Sequence, residues 1–249
     1  MNSLLKKVCR SALKIVARPG SPFDRAYLAD DVPLSQVHQK WKSYIGQLNK
    51  GDGLRVLEIG SREVTGPSMA REQFANAKYI GFDYYAGRNV DVVGDVHHLS
   101  SYFKDCERFD IIYTCACFEH FAMPWIVAEE ISKMLKVGGM LYVTTHFSFK
   151  SHERPWNFFQ FSDMGLRVLF SSSLGFECIE AGMSTPMIGR FSSLADKSLR
   201  YTPIRGLYCG SEYFGRKAQD VLSFDWHQVA LNEVVAGTVY PVPISSASI

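Results

Sequence analysis

From residue 54 onward, apolar and polar residues alternate in blocks whose lengths are typical of strands and helices. Short, almost wholly apolar runs predict buried strands at residues 54–59, 78–83, 90–95, 109–114 and 140–145. Residues 68–77 and 124–135 have the apolar spacing of helices, and residues 176–183 predict a sixth strand. Strands that alternate with helices at this spacing predict an α/β fold, with a parallel sheet covered by helices on both faces.

The first 50 residues differ from the rest in charge. They contain nine Lys or Arg against three Asp, a balance of +6, whereas the whole chain carries only +2. Within them, residues 4–18 have the pattern of a basic amphipathic helix, which ends before Pro19 and Gly20. This helix either lies on an anionic membrane surface or a partner, or packs on the domain with its cations in water. We therefore treat residues 1–50 as a basic amphipathic helix and helical cover.

Composition excludes several classes of function. The chain has 249 residues, of which 47% are hydrophobic and 21% charged, and no run approaches the ~18 apolar residues of a membrane span. Beyond residue 50 the balance is negative, which is the opposite of what a phosphate backbone requires, so nucleic acid is not an expected partner. Six cysteines without a C-x-x-C pair indicate reduced thiols and a cytoplasmic location.

Polar residues recur where the predicted strands end, and ligands of parallel sheets bind at that edge. The relevant motifs are, in chain order, Glu58-Ile59-Gly60, Asp83, Asp95-Val96, Phe109-Asp110 with Phe118-Glu119-His120, and Leu135-Lys136-Val137-Gly138-Gly139. In this order and spacing they resemble class I S-adenosylmethionine-dependent methyltransferases. The resemblance covers about residues 50–183.

The resemblance implies a Rossmann-like, seven-stranded, mostly parallel sheet with helices on both faces and one antiparallel strand near the C-terminus. We expect the methyltransferase domain to span residues 51–249. Residues 184–225 mix cations with aromatic residues and predict an insertion, which serves as a lid or as the interface of a homodimer. The antiparallel strand is then expected within residues 226–240.

The resemblance also implies the cofactor, S-adenosylmethionine, and the residues that hold it. Gly60 permits a tight turn beside the methionine part of the cofactor, Asp83 accepts the ribose hydroxyls, Asp95 accepts the adenine amino group, and the Val96 backbone meets the ring. The other residues expected at this site are Glu58, Ser61, Arg62, Tyr84, Cys115 and Glu119.

The glycine loop departs from the family pattern E-x-G-x-G-x-G, because Arg62 and Val64 replace two of the glycines. Arg62 either pairs with the carboxylate of the cofactor or remains a solvated surface residue. A nicotinamide cofactor is a distant alternative, since the chain has no G-x-G-x-x-G motif.

Methyl transfer to a hydroxyl needs alignment and a base that takes the proton. Histidines at the predicted edge are the candidates for that base, namely His146, His120 and His152. Residues 146–162 resemble the acceptor segment of small-molecule methyltransferases, with Asn157 and Gln160 in place of a charged Asp and Arg. The aromatic residues expected to stack on substrate there are Phe149, Trp156 and Phe159. No ligand spacing calls for a metal, so none is expected.

These features predict a methyltransferase that acts on a small-molecule acceptor, most plausibly a hydroxyl of a sugar or glycosylated metabolite. One alternative is a lipid-linked or quinone-like acceptor, reached through peripheral membrane contact of residues 1–18. A second alternative is a non-catalytic interaction module that retains the cofactor fold.

Overall fold

The computed structural model describes residues 21–22, 35–48, 53–64, 66–68, 70–104 and 106–230. The amphipathic segment 4–18, and residues 231–240 of the range expected to hold the last strand, lie outside them. None of the helices among the described residues is long and apolar enough to cross a membrane.

Among the described residues, seven strands form one sheet, and two short strands form a separate hairpin. The strands are β1 (Arg55–Ile59), β2 (Lys78–Asp83), β3 (Val92–Val93), β4 (Phe109–Cys115), β5 (Leu135–His146), β6 (Phe176–Pro186), β7 (Gly189–Arg190), β8 (Pro203–Ile204) and β9 (Tyr208–Lys217). The sheet order is β3-β2-β1-β4-β5-β9-β6, and β9 runs antiparallel to both of its neighbours. The predicted α/β fold with one antiparallel strand near the C-terminus is therefore confirmed.

Helices cover both faces of this sheet. The described α-helices are α1 (Val37–Gln47), α2 (Ala70–Gln73), α3 (Pro124–Met134) and α4 (Asp163–Leu169). One core contains apolar residues of α3 and α4 together with Leu57 and Leu141 of the sheet. The other contains α1, whose Trp41 ring stacks on Tyr142 at 4.8 Å between centroids, together with Val56 and Ile111. Because successive residues of the central strands are buried on opposite faces, these strands have continuous apolar runs.

The last strand of the sheet is β9, and the prediction that it lies within residues 226–240 is not what the structure shows. Residues 226–228 form a single 3₁₀ turn instead. The strand thus falls inside the range expected to be an insertion, and the segment outside the main sheet is reduced to residues 187–207, which include the hairpin of β7 and β8. The pattern was misread because Gly210, Ser211 and Glu212 give β9 a polar sequence although they are buried.

Smaller differences lie at the ends of elements. The helix expected over residues 68–77 is the single turn α2, and the strand expected over residues 90–95 is the two-residue β3. The N-cap of α4 is Ser162, as predicted, and its hydroxyl accepts a hydrogen bond from the backbone N–H of Gly165 at 3.0 Å.

Candidate functional site

The chain turns sharply after β1 at Gly60, which has a φ of +80°. A Cβ atom on this residue would lie 2.5 Å from the Cys117 Sγ atom, so only glycine fits here. Burial, and then the carboxylates of Glu119 and Asp83, raise the pKa of the Cys117 thiol well above its ordinary value. The neutral thiol therefore fills space beneath the turn.

Glu58 lies below this turn, in a hydrogen-bond network of its own. Its buried carboxylate accepts hydrogen bonds from the Tyr79 hydroxyl, from Asn89 Nδ2 at 3.1 Å and from the Ser68 hydroxyl. The Asn89 amide also donates to the Ser61 carbonyl at 3.1 Å. Glu58 thus anchors the loop that follows β1, and its carboxylate is already engaged by the chain.

Asp83 ends β2, and the backbone and side chain of Arg62 hold its carboxylate. The Arg62 Nε atom lies 3.3 Å from Asp83 Oδ1, and the Arg62 backbone N–H donates to Oδ2 at 3.3 Å. A third donor is the Tyr85 backbone N–H, 3.0 Å from Oδ1. The residue that replaces a family glycine is therefore paired with the carboxylate expected to bind ribose, an arrangement that was not among the expectations for Arg62.

Asp95 follows β3 and caps the 3₁₀ helix Val96–Phe103. Its Oδ1 atom accepts from the His97 backbone N–H at 3.0 Å and lies 2.6 Å from His97 Nδ1. Burial raises the pKa of Asp95, but the hydrogen bonds from His97 outweigh it and leave that pKa below its ordinary value. Val96 begins the 3₁₀ helix, and its side chain is buried in the core.

These three strand ends fit an adenosyl cofactor by their donor and acceptor chemistry. An ionised carboxylate accepts the two hydroxyls of a ribose, a second accepts an exocyclic amine, and a glycine turn admits a close backbone approach. The residues present at these positions are Asp83, Asp95 and Gly60. Exposed aromatic surface lies beside them at Tyr84, which is 53% exposed and 5.9 Å from the Trp156 ring.

The other half of the edge, beyond β4 and β5, centres on Glu119. This residue lies in the 3₁₀ turn Phe118–His120 and is fully buried. The Thr145 hydroxyl donates to Glu119 Oε2 at 2.6 Å, and His146 Nδ1 lies 2.5 Å from Oε1. Burial raises the pKa of Glu119, yet the contacts from His146 and Thr145 outweigh it, so that this pKa lies below its ordinary value. The carboxylate is therefore ionised at neutral pH.

His120 and His152 complete a cluster around Glu119. Their ring centroids are 4.9 Å apart, and that of His146 lies 5.3 Å from His152. His120 Nδ1 is 2.7 Å from the Trp156 carbonyl oxygen, and His152 Nδ1 is 3.0 Å from the Lys150 carbonyl oxygen. The structure thus brings together the three histidines expected to be candidate bases.

The acceptor segment 147–162 folds back onto this cluster. Backbone N–H groups of Phe158 and Phe159 donate to the Glu119 carbonyl oxygen at 2.9 Å and 3.3 Å. The Gln160 amide bonds reciprocally with the Phe149 backbone, and the Phe149 ring stacks on His146 at 4.4 Å and 9°. Gln160 stands where the family motif has a charged Arg, and its amide connects two parts of the loop by hydrogen bonds.

Among the described residues, no contact of Cys115 or Ser61 indicates how either residue would bind a cofactor. Cys115 is the exposed last residue of β4, and Ser61 is buried with a hydroxyl that has no hydrogen-bond partner among the described residues. The sequence reasoning also missed Thr145, which it assigned only to a strand. The available signal was that Thr145 directly precedes His146. In the structure Thr145 contacts one carboxylate oxygen of Glu119, and His146 contacts the other.

Comparison with known proteins agrees with this architecture. The family described as "Methyltransferase domain" matches residues 50–143, and no curated protein matches the chain. The plantazolicin methyltransferase BamL, solved with a triazolic desmethylPZN analog and SAH, is 13% identical, with a TM-score of 0.50 over 73% of this chain and 84% of its own.

Two further solved structures are similar in fold. A SAM-dependent methyltransferase from Archaeoglobus fulgidus is 13% identical, with a TM-score of 0.47 over 73% of this chain and 93% of its own. The CurJ carbon methyltransferase is 15% identical, with a TM-score of 0.47 over 87% of this chain and 64% of its own. The family match shows a methyltransferase domain over residues 50–143, and the seven-stranded sheet is the fold that the resemblance to S-adenosylmethionine-dependent methyltransferases implied.

Proposed function

We propose that this protein transfers the methyl group of S-adenosylmethionine to a hydroxyl of a small molecule, a sugar or a glycosylated metabolite. The observation that carries the proposal is the pair formed by Glu119 and His146 at the carboxyl ends of β4 and β5. When bound, S-adenosylmethionine supplies a methyl group activated by a sulfonium. Gly60, Asp83 and Asp95 would hold it.

A hydroxyl acceptor must lose its proton as the new bond to carbon forms, so the site needs a base. His146 Nδ1 lies 2.5 Å from Glu119 Oε1, and we propose that the proton of the neutral ring is on Nδ1, facing the carboxylate. That proton leaves the lone pair of His146 on Nε2, where it accepts the proton of the acceptor. The ionised Glu119 carboxylate then stabilises the imidazolium, as in other carboxylate–histidine pairs.

The surroundings of His146 favour a neutral, ring-shaped acceptor. Phe149 stacks on the imidazole and fixes its plane, while Trp156 and Phe159 of the same segment remain 49% and 37% exposed. Flat apolar surfaces of this kind pack against the C–H face of a sugar. The amide of Gln160 is engaged by the backbone of Phe149, so it contributes no charge that would select an ionic acceptor.

The pairing of Arg62 with Asp83 favours one second candidate, the non-catalytic module. An Asp83 carboxylate that stays paired with Arg62 cannot accept the ribose hydroxyls with both of its oxygens. Such a protein would bind adenosylhomocysteine weakly or not at all. The lipid-linked alternative depends on residues 1–18 and stays a prediction.

The test compares His146→Ala with His227→Ala, whose side chain is 95% exposed and belongs to an Asp225 pair outside the cluster. We expect His146→Ala to lower kcat by about 10²–10⁴-fold, because a general base contributes that much. Labelled S-adenosylmethionine and a panel of free sugars, glycosides and phenols would measure transfer. Calorimetry with adenosylhomocysteine would show unchanged affinity in both variants.

Two results would contradict the proposal. Adenosylhomocysteine binding without transfer to any hydroxyl of the panel would exclude the acceptor class. Unchanged kcat in His146→Ala would exclude the base, and absent adenosylhomocysteine binding would leave the non-catalytic module as the better description.

A further inference from the structure

Glu119, His120 and His152 form a group whose ligand atoms all lie within 4.8 Å of one another. We propose that these three residues bind one divalent transition-metal cation of the Zn²⁺ type. Metal binding was not expected from the sequence, because Glu119 and His120 are adjacent and His152 is remote from them, which matches no ligand spacing. The binding itself does not depend on the proposed methyl transfer.

The orientation of the two imidazoles favours metal binding. His120 Nδ1 lies 2.7 Å from the carbonyl oxygen of Trp156, and His152 Nδ1 lies 3.0 Å from that of Lys150. A carbonyl oxygen only accepts, so each Nδ1 must carry the proton and each neutral ring keeps its lone pair on Nε2. Metal-binding histidines are held by their second nitrogen in this way.

The Nε2 atoms of His120 and His152 have no partner within hydrogen-bond distance among the described residues. The nearest charged groups to His120 Nε2 are Glu119 Oε1 and Glu153 Oε2, each at 3.9 Å. These distances exceed a hydrogen bond and leave room for an ion between the nitrogen and either oxygen.

The distances between the proposed ligand atoms also suit a metal ion. Two ligands of one Zn²⁺, each bonded at about 2.0–2.2 Å, are separated by at most roughly 4.2 Å. The 3.9 Å between His120 Nε2 and Glu119 Oε1 lies inside that limit. The whole group, within 4.8 Å, needs a closure of only about half an ångström to meet it. His152 is half-buried in the acceptor segment.

The charge of the site also favours a cation. The Glu119 carboxyl group is fully buried, and its side-chain contacts among the described residues are Thr145 and the histidines, none of them a permanent cation. A buried charge is costly unless a counter-charge compensates it. A divalent cation at Oε1 supplies that charge, and the exposed Glu153 carboxylate offers a further oxygen at the rim.

The donor set also indicates which ion binds. Two imidazoles and one carboxylate favour Zn²⁺ and its first-row neighbours, whereas Mg²⁺ and Ca²⁺ prefer oxygen ligands. Three protein ligands leave a coordination position open, as in catalytic zinc sites. If the proposed function holds, an ion here, beside His146, would hold the oxygen of the acceptor and make its proton easier to remove.

The experiment titrates Zn²⁺ into the chelator-treated full chain, without cofactor or acceptor, and follows heat and Tm. We expect one ion per chain, a higher Tm and at least tenfold tighter binding of Zn²⁺ than of Mg²⁺. His152→Ala and His120→Ala should each weaken Zn²⁺ binding at least tenfold, whereas His227→Ala should not change it. The Tm of each metal-free variant shows whether it folds, and Glu153→Gln is a milder variant expected to weaken binding several-fold.

Zn²⁺ binding that is absent, equal to that of Mg²⁺, or unchanged in folded His120→Ala and His152→Ala would overturn the metal site. None of these results touches the proposed methyl transfer, which is tested by adenosylhomocysteine binding and by His146→Ala. Conversely, Zn²⁺ binding that follows the histidines would stand even if no hydroxyl acceptor were found.

Discussion

The carboxyl-terminal edge of the sheet has two halves, the ends of β1, β2 and β3 and the ends of β4 and β5. They differ in whether their polar side chains are already engaged by other residues. At the ends of β1, β2 and β3, each carboxylate already contacts another side chain of the protein. The pairs are Glu58 with Tyr79 and Asn89, Asp83 with Arg62, and Asp95 with His97. At the ends of β4 and β5, the backbone or Glu119 engages Nδ1 of each histidine. There Nε2 of His120 and His152 has no hydrogen bond among the described residues.

The difference separates two kinds of site. If the cofactor binds at the ends of β1, β2 and β3 as we propose, it must compete with contacts that the protein already makes, and its apparent affinity falls by the cost of breaking them. The second half has fixed tautomers and unused nitrogens, which is the preorganised state that proton transfer or metal binding requires. Four variants test this contrast.

Replacing Asp83 by Asn should have the largest effect. The neutral amide loses a charge-assisted hydrogen bond to ribose, worth about 1.5–3 kcal/mol, so adenosylhomocysteine should bind roughly 10–100-fold more weakly. Calorimetry measures the change. The control is Asp220→Asn, which removes the ion pairs of Asp220 with Arg108 and Lys217 and should leave the affinity as it was. Equal affinity in Asp83→Asn would mean that this carboxylate does not contact the cofactor.

Replacing Gly60 by Ala tests the turn after β1, beside the residues proposed to hold the cofactor. The new Cβ would meet Cys117 Sγ at 2.5 Å in a left-handed backbone conformation, so the free energy of unfolding should fall by about 1–3 kcal/mol. Thermal unfolding measures it.

The matched control for Gly60→Ala is Gly138→Ala. Gly138 has a similar φ of +86°, but a Cβ there meets nothing within 4 Å. The difference in Tm between the two variants isolates the steric clash from the backbone strain. Equal Tm losses would show that the contact with Cys117 is relieved at no cost.

Replacing Arg62 by Ala decides between two roles of that side chain. If Arg62 acts mainly by occupying Asp83, its removal frees the carboxylate and adenosylhomocysteine should bind several-fold more tightly. Calorimetry at two salt concentrations measures this change. Weaker binding would instead show that Arg62 contacts the carboxylate of the cofactor, the first of the two roles that the sequence left open.

The smallest effect is expected at Glu130 of α3, which supports the 3₁₀ helix that Asp95 caps. Its carboxylate accepts from the Ser100 backbone N–H at 2.6 Å and from Lys133 Nζ at 2.7 Å. Burial raises the pKa of Glu130, but these contacts outweigh it and leave the pKa below its ordinary value. Glu130→Gln should therefore cost about 1 kcal/mol at neutral pH, through the loss of a charge-assisted hydrogen bond.

The pH dependence of that cost follows from the sign of the shift. A carboxyl with a lowered pKa stabilises the folded state above its unfolded pKa, and this contribution is lost as pH falls through the folded value. The difference between wild type and Glu130→Gln should thus shrink as pH falls below 4.5, the ordinary value. Denaturant unfolding from pH 7 to pH 3 checks it, and a constant difference would contradict the assignment.

Much of the fold followed from local pattern. Strands β1, β2, β4 and β5 each lie close to where the pattern places them, and β1, β4 and β5 have apolar runs because they are buried on both faces. The strand β9 was not found in this way, since it buries Ser211, Glu212 and Lys217. Burial lowers the pKa of Lys217, and its Nζ atom donates to Ser132, 85 residues away in the chain. No local pattern records such a partner.

The candidate site divides along the same line. Glu119, His120, His146 and His152 were each recognisable as polar residues near a strand end, yet their grouping depends on the loop 147–162 folding back onto the Glu119 carbonyl. The pairing of Arg62 with Asp83 was likewise invisible, because both side chains had alternative partners until the turn at Gly60 set them side by side.

The sequence by itself determined the order of strands and helices, the edge at which chemistry occurs and the residue types available there. Hydrophobic periodicity and turn chemistry are local, and a reader of the chain can recover them. Only the tertiary structure decided which carboxylates are already paired, which imidazole nitrogens remain unused and where the last strand lies. These depend on hydrogen bonds and burial between residues distant in sequence, whose partners are defined only when the chain is folded.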